Sequence, residues 1–130
     1  MNKLETGMIS VIIVTQNKPA ALRCCLESVF RQSCPAHEVI VVDNASRAPE
    51  YAGIYEDFGD QISVIHNDSN LGACVARNQG FVRASGKYIV FLDDDAEFLE
   101  TNVIAKAVEL MDGDERIGQL GGVQYSSSNR

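Results

Sequence analysis

Short apolar blocks alternate with amphipathic stretches along the chain, and this alternation predicts strands separated by helices. Continuous apolar runs without polar alternation are typical of strands that are covered on both faces. By this criterion the predicted strands are 9–14, 38–42, 62–65, 88–92 and, interrupted by glycines, 117–123. Apolar residues at helical spacing predict a helix that begins at Pro19 and further helices over 51–58, 71–84 and 102–111.

This order of elements predicts a single α/β domain. Strands separated by helices require right-handed crossovers, so we expect a mostly parallel sheet with helices on both faces. A length of 130 residues suits one domain or part of one. The segments 1–7 and 124–130 are expected to be flexible ends.

The composition narrows the range of partners. The formal charge of −7 argues against binding to nucleic acids or anionic membranes, because both are polyanions. The apolar runs are too short to span a bilayer and the N-terminus shows no signal-peptide pattern, so a cytoplasmic location is expected. The four cysteines match no zinc or redox spacing and are interpreted as reduced, small apolar residues.

Polar residues follow four of the predicted strands directly, at the ends where ligands bind in parallel sheets. They are Thr15-Gln16-Asn17, Asp43-Asn44-Ala45-Ser46, His66-Asn67-Asp68 and Asp93-Asp94-Asp95. We expect them to gather at one edge of the sheet and to form a site there.

The run Asp93-Asp94-Asp95 is the most specific of these features. Adjacent carboxylates repel one another where solvent is partly excluded, and a divalent cation relieves that repulsion. In an extended backbone Asp93 and Asp95 project to the same side, so both can face one Mg²⁺ or Mn²⁺ ion. The alternative interpretation is a solvated acidic turn before a helix.

Asp43 and Asn44 follow the second strand. Their side-chain oxygens can accept the N3–H of a pyrimidine base or a hydrogen bond from a ribose hydroxyl. The alternative is an Asx turn with Ser46, which is a common use of these residues.

The segment Asn70-Leu71-Gly72 is predicted to open a helix that Asn70 caps and that carries Arg77. The free N–H groups at a helix start and the nearby arginine suit an anion. The alternative is an ordinary capped helix with a surface arginine. For Thr15-Gln16-Asn17, contact with a base and a cap region before Pro19 are equally plausible interpretations.

Three motifs of other enzyme classes are absent from the sequence. No G-x-G-x-x-G follows the first strand, which weakens a dinucleotide-binding hypothesis. There is neither a phosphate-binding G-x-x-x-x-G-K-[ST] loop nor a G-x-S-x-G nucleophile elbow.

Taken together, four segments resemble the nucleotide-sugar-binding half of the family-two glycosyltransferases, which have a Rossmann-like GT-A fold. They are ISVIIVTQN at 9–17, EVIVVDNAS at 38–46, NLGACVARNQG at 70–80 and YIVFLDDD at 88–95. They occur in the order and at the spacing of that family, and the resemblance covers about residues 8–123.

The resemblance implies which residues bind the nucleotide. They are Thr15, Gln16, Asn17, Asp43, Asn44, Asn70, Gly72, Arg77, Asp93 and Asp94. Many members carry a second Asp where this chain has Asn44, and since Asn still accepts from a base N3–H, UDP- or dTDP-linked sugars remain the favoured donors. Asp93 and Asp95 resemble the Asp-x-Asp motif that holds Mn²⁺ or Mg²⁺.

The activity implied is sugar transfer to an acceptor hydroxyl with inversion at the anomeric carbon. The metal ion stabilises the departing diphosphate and a carboxylate base takes the acceptor's proton. In the family that base lies downstream, beyond residue 130, and Glu97, Glu100 and Glu109 do not match its place. The chain is therefore expected to be a truncated product or a fragment that binds nucleotide but transfers sugar poorly.

Two other functions remain open at this point. One is a nucleotide-binding module without catalysis, and the other is a nucleotidyltransferase, although Thr15–Pro19 lacks the glycine-rich basic loop usual there. An uncovered last strand would favour a homodimer. For a full-length parent protein, peripheral association with a membrane stays open.

Overall fold

The computed structural model describes residues 8–126, which form one sheet with helices packed on it. The strands are β1 (Ile9–Thr15), β2 (Glu38–Asn44), β3 (Ser63–Asn67) and β4 (Tyr88–Asp93). The helices are α1 (Pro19–Phe30), α2 (Glu50–Phe58), α3 (Ala73–Arg83) and α4 (Val103–Gly113), with a short 3-10 turn at Gly59–Gln61.

The strands lie in the order β3-β2-β1-β4, and each neighbouring pair is parallel. The chain therefore builds outward from β1 to β3 and then crosses back to place β4 on the other side of β1. Open α/β sheets bind ligands where the strand order reverses in this way, which here is the carboxyl end between β1 and β4. The predicted α/β class with a parallel sheet is confirmed.

Helices cover both faces of the sheet, as predicted. The larger core lies between one face and helices α1, α2 and α4, and it includes Val11, Leu26 and Ile104. On the other face α3 covers a smaller cluster built around Ile40 and Ala76. Continuous apolar strands are needed here because successive side chains of β1 and β2 enter different cores.

Helix α3 lies very close to β1. A Cβ atom added to Gly80 would lie 2.5 Å from Cγ2 of Ile12, closer than carbon atoms approach in folded proteins. Glycine is therefore required at this point of α3, and its absent side chain sets the distance between the helix and the sheet.

The structure corrects one predicted strand and the start of one predicted helix. The strand predicted over 117–123 is wrong, since this segment pairs with no described strand and is irregular and mostly exposed. Its glycines offer little side-chain surface for packing, which removes the stabilisation that a strand would need. Helix α3 begins at Ala73 rather than at residue 71. Flexible ends are predicted at 1–7 and 124–130, of which 1–7 and 127–130 lie outside the described residues, while 124–126 are irregular and exposed.

The four cysteines are free thiols, as expected. Cys25 and Cys34 are buried, and burial raises the pKa of the Cys25 thiol to about 12. Cys24 and Cys74 are exposed. None of the helices found between residues 8 and 126 has the length and apolarity needed to cross a bilayer.

Candidate functional site

The carboxyl ends of β2, β1 and β4 lie side by side and bring most of the predicted site residues to one edge. Thr15 at the end of β1 pairs in register with Asp43 of β2, and the preceding Val14 pairs with Asp93 of β4. The acidic run, Asp43 and the Thr15 loop therefore belong to one surface, as the positions after the strands predict.

Asp93 and Asp95 are exposed, and each is paired with a cation. Oδ1 of Asp93 accepts a hydrogen bond of 3.2 Å from Arg77 of α3. Oδ2 of Asp95 accepts one of 3.0 Å from Lys18, and this contact raises the pKa of the lysine. Because a turn closed by Ala96 N–H to the carbonyl of Asp93 follows β4, the extended backbone assumed across Asp93–Asp95 is wrong.

Asp94 points inward, unlike its two neighbours. It is 8% exposed, and its Oδ2 accepts hydrogen bonds from Thr15 Oγ1 at 2.9 Å and Gln16 N–H at 3.4 Å. Burial raises the pKa of this carboxyl group, although the two hydrogen bonds act in the opposite direction. Asp94 thereby joins the turn after β4 to the loop after β1.

Asp43 accepts one hydrogen bond on each carboxylate oxygen at the end of β2. Its Oδ1 accepts from Ser46 N–H at 2.8 Å, which is the Asx turn that the sequence allows. Its Oδ2 accepts from the hydroxyl of Tyr55 at 2.6 Å. Burial and the adjacent Asp43 carboxylate raise the pKa of Tyr55, so this hydroxyl stays a donor at neutral pH.

Asn44 is buried and holds the loop that leads into α3. Its Oδ1 accepts from Asn67 Nδ2 at 3.0 Å and from Leu71 N–H at 3.2 Å, and its Nδ2 donates to the carbonyl of Gly72. Since the amide both donates and accepts hydrogen bonds, it fixes the position of this loop relative to β2 and β3.

The loops after β1 and β2 are joined through Asn17. Oδ1 of Asn17 accepts from the N–H groups of Arg47 and Ala48, and its own N–H donates to Ser46 Oγ. Asn17 and Ala45 both have positive φ angles, 54° and 61°. Left-handed backbone at residues other than glycine is uncommon, and it marks both turns as tightly constrained. Gln16, which directly precedes Asn17, is exposed.

Asn70 does not cap α3. Its Oδ1 accepts from the N–H of Gly72, two residues on, and Gly72 with φ of 84° takes the cap position without a side-chain cap. Arg77 in the second turn of α3 reaches Asp93. The wall predicted from Asn70 to Arg77 is thus connected to the acidic turn at one end and to Asn44 at the other.

The residues present suit a magnesium or manganese ion by the chemistry of their donors. Mg²⁺ and Mn²⁺ take hard oxygen ligands, and Mg²⁺ is often held by only one or two protein carboxylates, with phosphate and water completing its shell. Asp93 and Asp95 offer such oxygens. Within the described part of the chain, no group of three or more His, Cys, Asp or Glu side chains is placed to hold a metal ion.

The sequence analysis missed three residues that form hydrogen bonds within the candidate site, namely Lys18, Tyr51 and Tyr55. Tyr51 donates or accepts at Thr15 Oγ1 over 2.7 Å and accepts from Lys18 N–H at 2.8 Å. The spacing of four residues between the tyrosines of a predicted amphipathic helix was the available signal, but that spacing equally fits ordinary core packing.

A separate open groove of about 600 Å³ lies between α3 and β3. It is lined by Ile65, Val75, Asn78, Gln79, Val82 and Arg83. It contains none of the residues predicted to bind nucleotide, so it does not belong to the site described above.

Comparison with protein families gives a match to the glycosyl transferase family 2 model over residues 10–130. The chain belongs to glycosyl transferase family 2. Among curated relatives, an uncharacterized glycosyltransferase, YibD of Escherichia coli K12, is 37% identical over 99 residues. That match covers 75% of this chain but only 28% of YibD, so the chain spans about a third of the length of such relatives.

Solved structures of glycosyltransferases share this fold. Staphylococcus aureus TarS 1-349 in complex with UDP-GlcNAc matches with a TM-score of 0.76 and 24% identity, covering 90% of this chain and 37% of that one. The mannosyltransferase PcManGT from Pyrobaculum calidifontis, in complex with GDP-Man and Mn²⁺, matches with a TM-score of 0.74 and 24% identity. The latter match covers 83% of this chain and 33% of the other. These likenesses establish the GT-A type of fold.

Proposed function

We propose that this chain is the donor-binding part of a glycosyltransferase that uses a nucleotide-diphosphate sugar. The observation that carries the proposal is the pairing of Thr15 with Asp43 and of Val14 with Asp93, which puts the acidic turn and the Asp43 loop at one sheet edge. Family membership and the nucleotide-sugar complexes of TarS and PcManGT support it.

The base is proposed to lie against the loops after β1 and β2. Asp43 receives hydrogen bonds on both oxygens, and an ionised carboxylate only accepts. A base edge that carries an N–H donor, such as the N3–H of uracil or thymine, suits this acceptor. The cytosine ring instead has an unprotonated N3. UDP- or dTDP-linked donors are favoured over CDP-linked donors on this ground.

The diphosphate is proposed to lie between the acidic turn and the start of α3. Asp93 and Asp95 are the residues that would hold a divalent ion, and such an ion supplies positive charge that stabilises a departing diphosphate. Lys18 and Arg77 now pair with these carboxylates. If a divalent ion took their place, both side chains would be free to contact phosphate oxygens.

Inverting transfer to the hydroxyl of a saccharide or other acceptor completes the proposal. The carboxylate that takes the acceptor's proton is not assigned to a residue of this chain, and the proposal for this chain is donor binding. From the charge of −7 we propose that nucleic acid is not a partner.

Calorimetric titration of the chain with UDP, dTDP, GDP and UTP, each with and without Mn²⁺, tests the proposal. We expect diphosphates to bind more tightly with Mn²⁺ and Asp95→Asn to remove that gain. Asp57→Asn is the matched control, because Asp57 is also exposed and forms an ion pair with Arg23 at 2.8 Å.

Each outcome of this titration decides between functions. A Mn²⁺ effect that Asp95→Asn leaves intact would contradict the metal site. UTP binding in preference to UDP would favour nucleotidyl transfer, and absence of binding by every nucleotide would overturn the proposed function.

A further inference from the structure

Two tyrosines of α2 form hydrogen bonds with residues of the candidate site. Tyr51 and Tyr55 are one helical turn apart, so they lie on the same face of α2, with ring centroids 5.7 Å apart. Tyr51 is 4% exposed. Each hydroxyl is bonded to a side chain at the end of a strand, namely Thr15 of β1 and Asp43 of β2.

The direction of the hydrogen bonds through Tyr51 follows from its neighbours. Lys18 N–H donates to the Tyr51 oxygen, and the carboxylate of Asp94 only accepts. Thr15 must therefore donate to Asp94, which leaves its oxygen to accept the proton of Tyr51. One ordered chain runs from Lys18 N–H through Tyr51 and Thr15 to Asp94, and it links the loop after β1 to the acidic turn.

Tyr55 serves the other half of the site. Its hydroxyl donates to Oδ2 of Asp43, and the edge-on contact of its ring with His66 at 5.6 Å fixes its position. With Ser46 N–H on Oδ1, the carboxylate of Asp43 is held at both oxygens.

Packing alone does not account for these hydroxyl groups. A phenylalanine ring fills the same space, and a buried hydroxyl costs free energy unless it is hydrogen-bonded. Here both hydroxyls bond to residues of the proposed nucleotide site, and neither bonds to a distant core group. We infer that Tyr51 and Tyr55 are positioning residues, Tyr51 for the acidic turn and Tyr55 for the base-contacting Asp43. This inference rests on the proposed function.

Separate effects are expected from removing each hydroxyl. Tyr55→Phe releases one oxygen of Asp43, so it should lower the preference for UDP over CDP. Tyr51→Phe releases Thr15 and Asp94, so it should lower the gain in UDP affinity that Mn²⁺ provides. Loss of one hydrogen bond to a charged or coupled group gives a change of about fivefold to tenfold in the affected ratio.

The test measures dissociation constants of UDP and CDP, with and without Mn²⁺, for the whole 130-residue chain and both variants. Tyr88→Phe is the matched control, since Tyr88 also bonds to an aspartate, Asp112, but lies at the start of β4, at the opposite end of the sheet. Ratios are compared because partial unfolding weakens UDP and CDP equally and leaves the ratios unchanged.

A fall of the UDP-to-CDP ratio in Tyr55→Phe and of the Mn²⁺ gain in Tyr51→Phe, with Tyr88→Phe unchanged, supports the inference. If the wild-type chain shows both ratios and the variants keep them, only the inference is overturned. If the wild-type chain binds neither nucleotide, the proposed function falls and the inference falls with it.

Discussion

The side-chain amide nitrogen of Asn44 lies 3.2 Å from the carbonyl oxygen of Gly72 and donates a hydrogen bond to it. The other end of the same amide accepts from Leu71 N–H and from Asn67. An ionised aspartate at this position has no proton to offer the Gly72 carbonyl. The asparagine is therefore explained by the loop that it holds.

Replacing this amide by a carboxylate should destabilise the fold. Asn44→Asp places an oxygen against the Gly72 carbonyl in a buried position, and we expect a loss of about 1–3 kcal/mol in the free energy of unfolding. Urea unfolding monitored by circular dichroism measures it. Asn78→Asp on the exposed side of α3 is the control, expected to change stability by under about 0.5 kcal/mol. Equal stability of the two variants would contradict this account.

A methyl group at Gly80 should separate α3 from the sheet. The Cβ of Gly80→Ala would lie 2.5 Å from Cγ2 of the buried Ile12, and we expect overpacking to cost about 1–3 kcal/mol. Gly53→Ala in α2 meets nothing within 4 Å, so it should be neutral or stabilise by up to about 1 kcal/mol. Thermal unfolding of both variants provides the comparison, and a stabilised Gly80→Ala would rule out the close contact.

Asp94 should make stability depend on pH in a direction opposite to that of most carboxylates. Its pKa is raised in the folded state mainly by burial, so the folded chain binds more protons there than the unfolded chain does. The free energy of unfolding therefore gains from Asp94 as pH falls through the raised folded pKa, and the gain is complete below the unfolded pKa.

The Asp94→Asn variant isolates this contribution. Urea unfolding of both proteins between pH 7 and pH 4 should show wild type gaining stability relative to the variant as pH falls. The amide oxygen can still accept from Thr15 and Gln16 N–H, so the variant is expected to fold. A stability difference that is constant with pH would show that Asp94 does not have a raised pKa.

Lys18 should compete with a metal ion for Asp95. The ion pair is exposed at both ends and 3.0 Å long, so its removal is expected to change stability little. Lys18→Ala frees the carboxylate, and we expect Mn²⁺ to bind about twofold to tenfold more tightly, in proportion to the attraction that is lost. Electron paramagnetic resonance of free Mn²⁺ gives the affinity. Lys106→Ala, which removes the exposed pair with Glu100, should leave it unaltered.

The free side of β4 should favour self-association. Within residues 8–126, β4 pairs only with β1, and Phe91 on this strand is 51% exposed. Unpaired edge strands with exposed apolar side chains promote pairing between chains. Light scattering after size-exclusion chromatography should show dimers that increase with concentration and decrease in Phe91→Thr. A strict monomer at high concentration would refute this prediction.

The fold and the location of the site could be predicted because both depend on local patterns. Apolar runs such as 88–92 marked the strands, and the polar residues after them marked the ligand edge. The rule that parallel strands bring their carboxyl ends together then placed Asp43 near Asp93 without further information.

The division of roles within the site could not be predicted from the sequence. Three identical residues at 93–95 carry no sign of which one turns inward, and the turn after β4 decides that it is Asp94. Tyr51 and Tyr55 have the spacing of any helix that faces a core. Their hydroxyl partners are 36 and 12 residues away in sequence, so only the folded chain reveals them.

The missing side chain of Gly80 also governs the charge distribution at the ligand edge. Arg77 precedes Gly80 by three residues on α3, which is roughly 4.5 Å of helix rise. Whether Arg77 can contact Asp93 therefore depends on the distance between α3 and Ile12 of β1. The surface ion pair between Arg77 and Asp93 therefore depends on the absence of a side chain at Gly80, in the apolar layer beneath it.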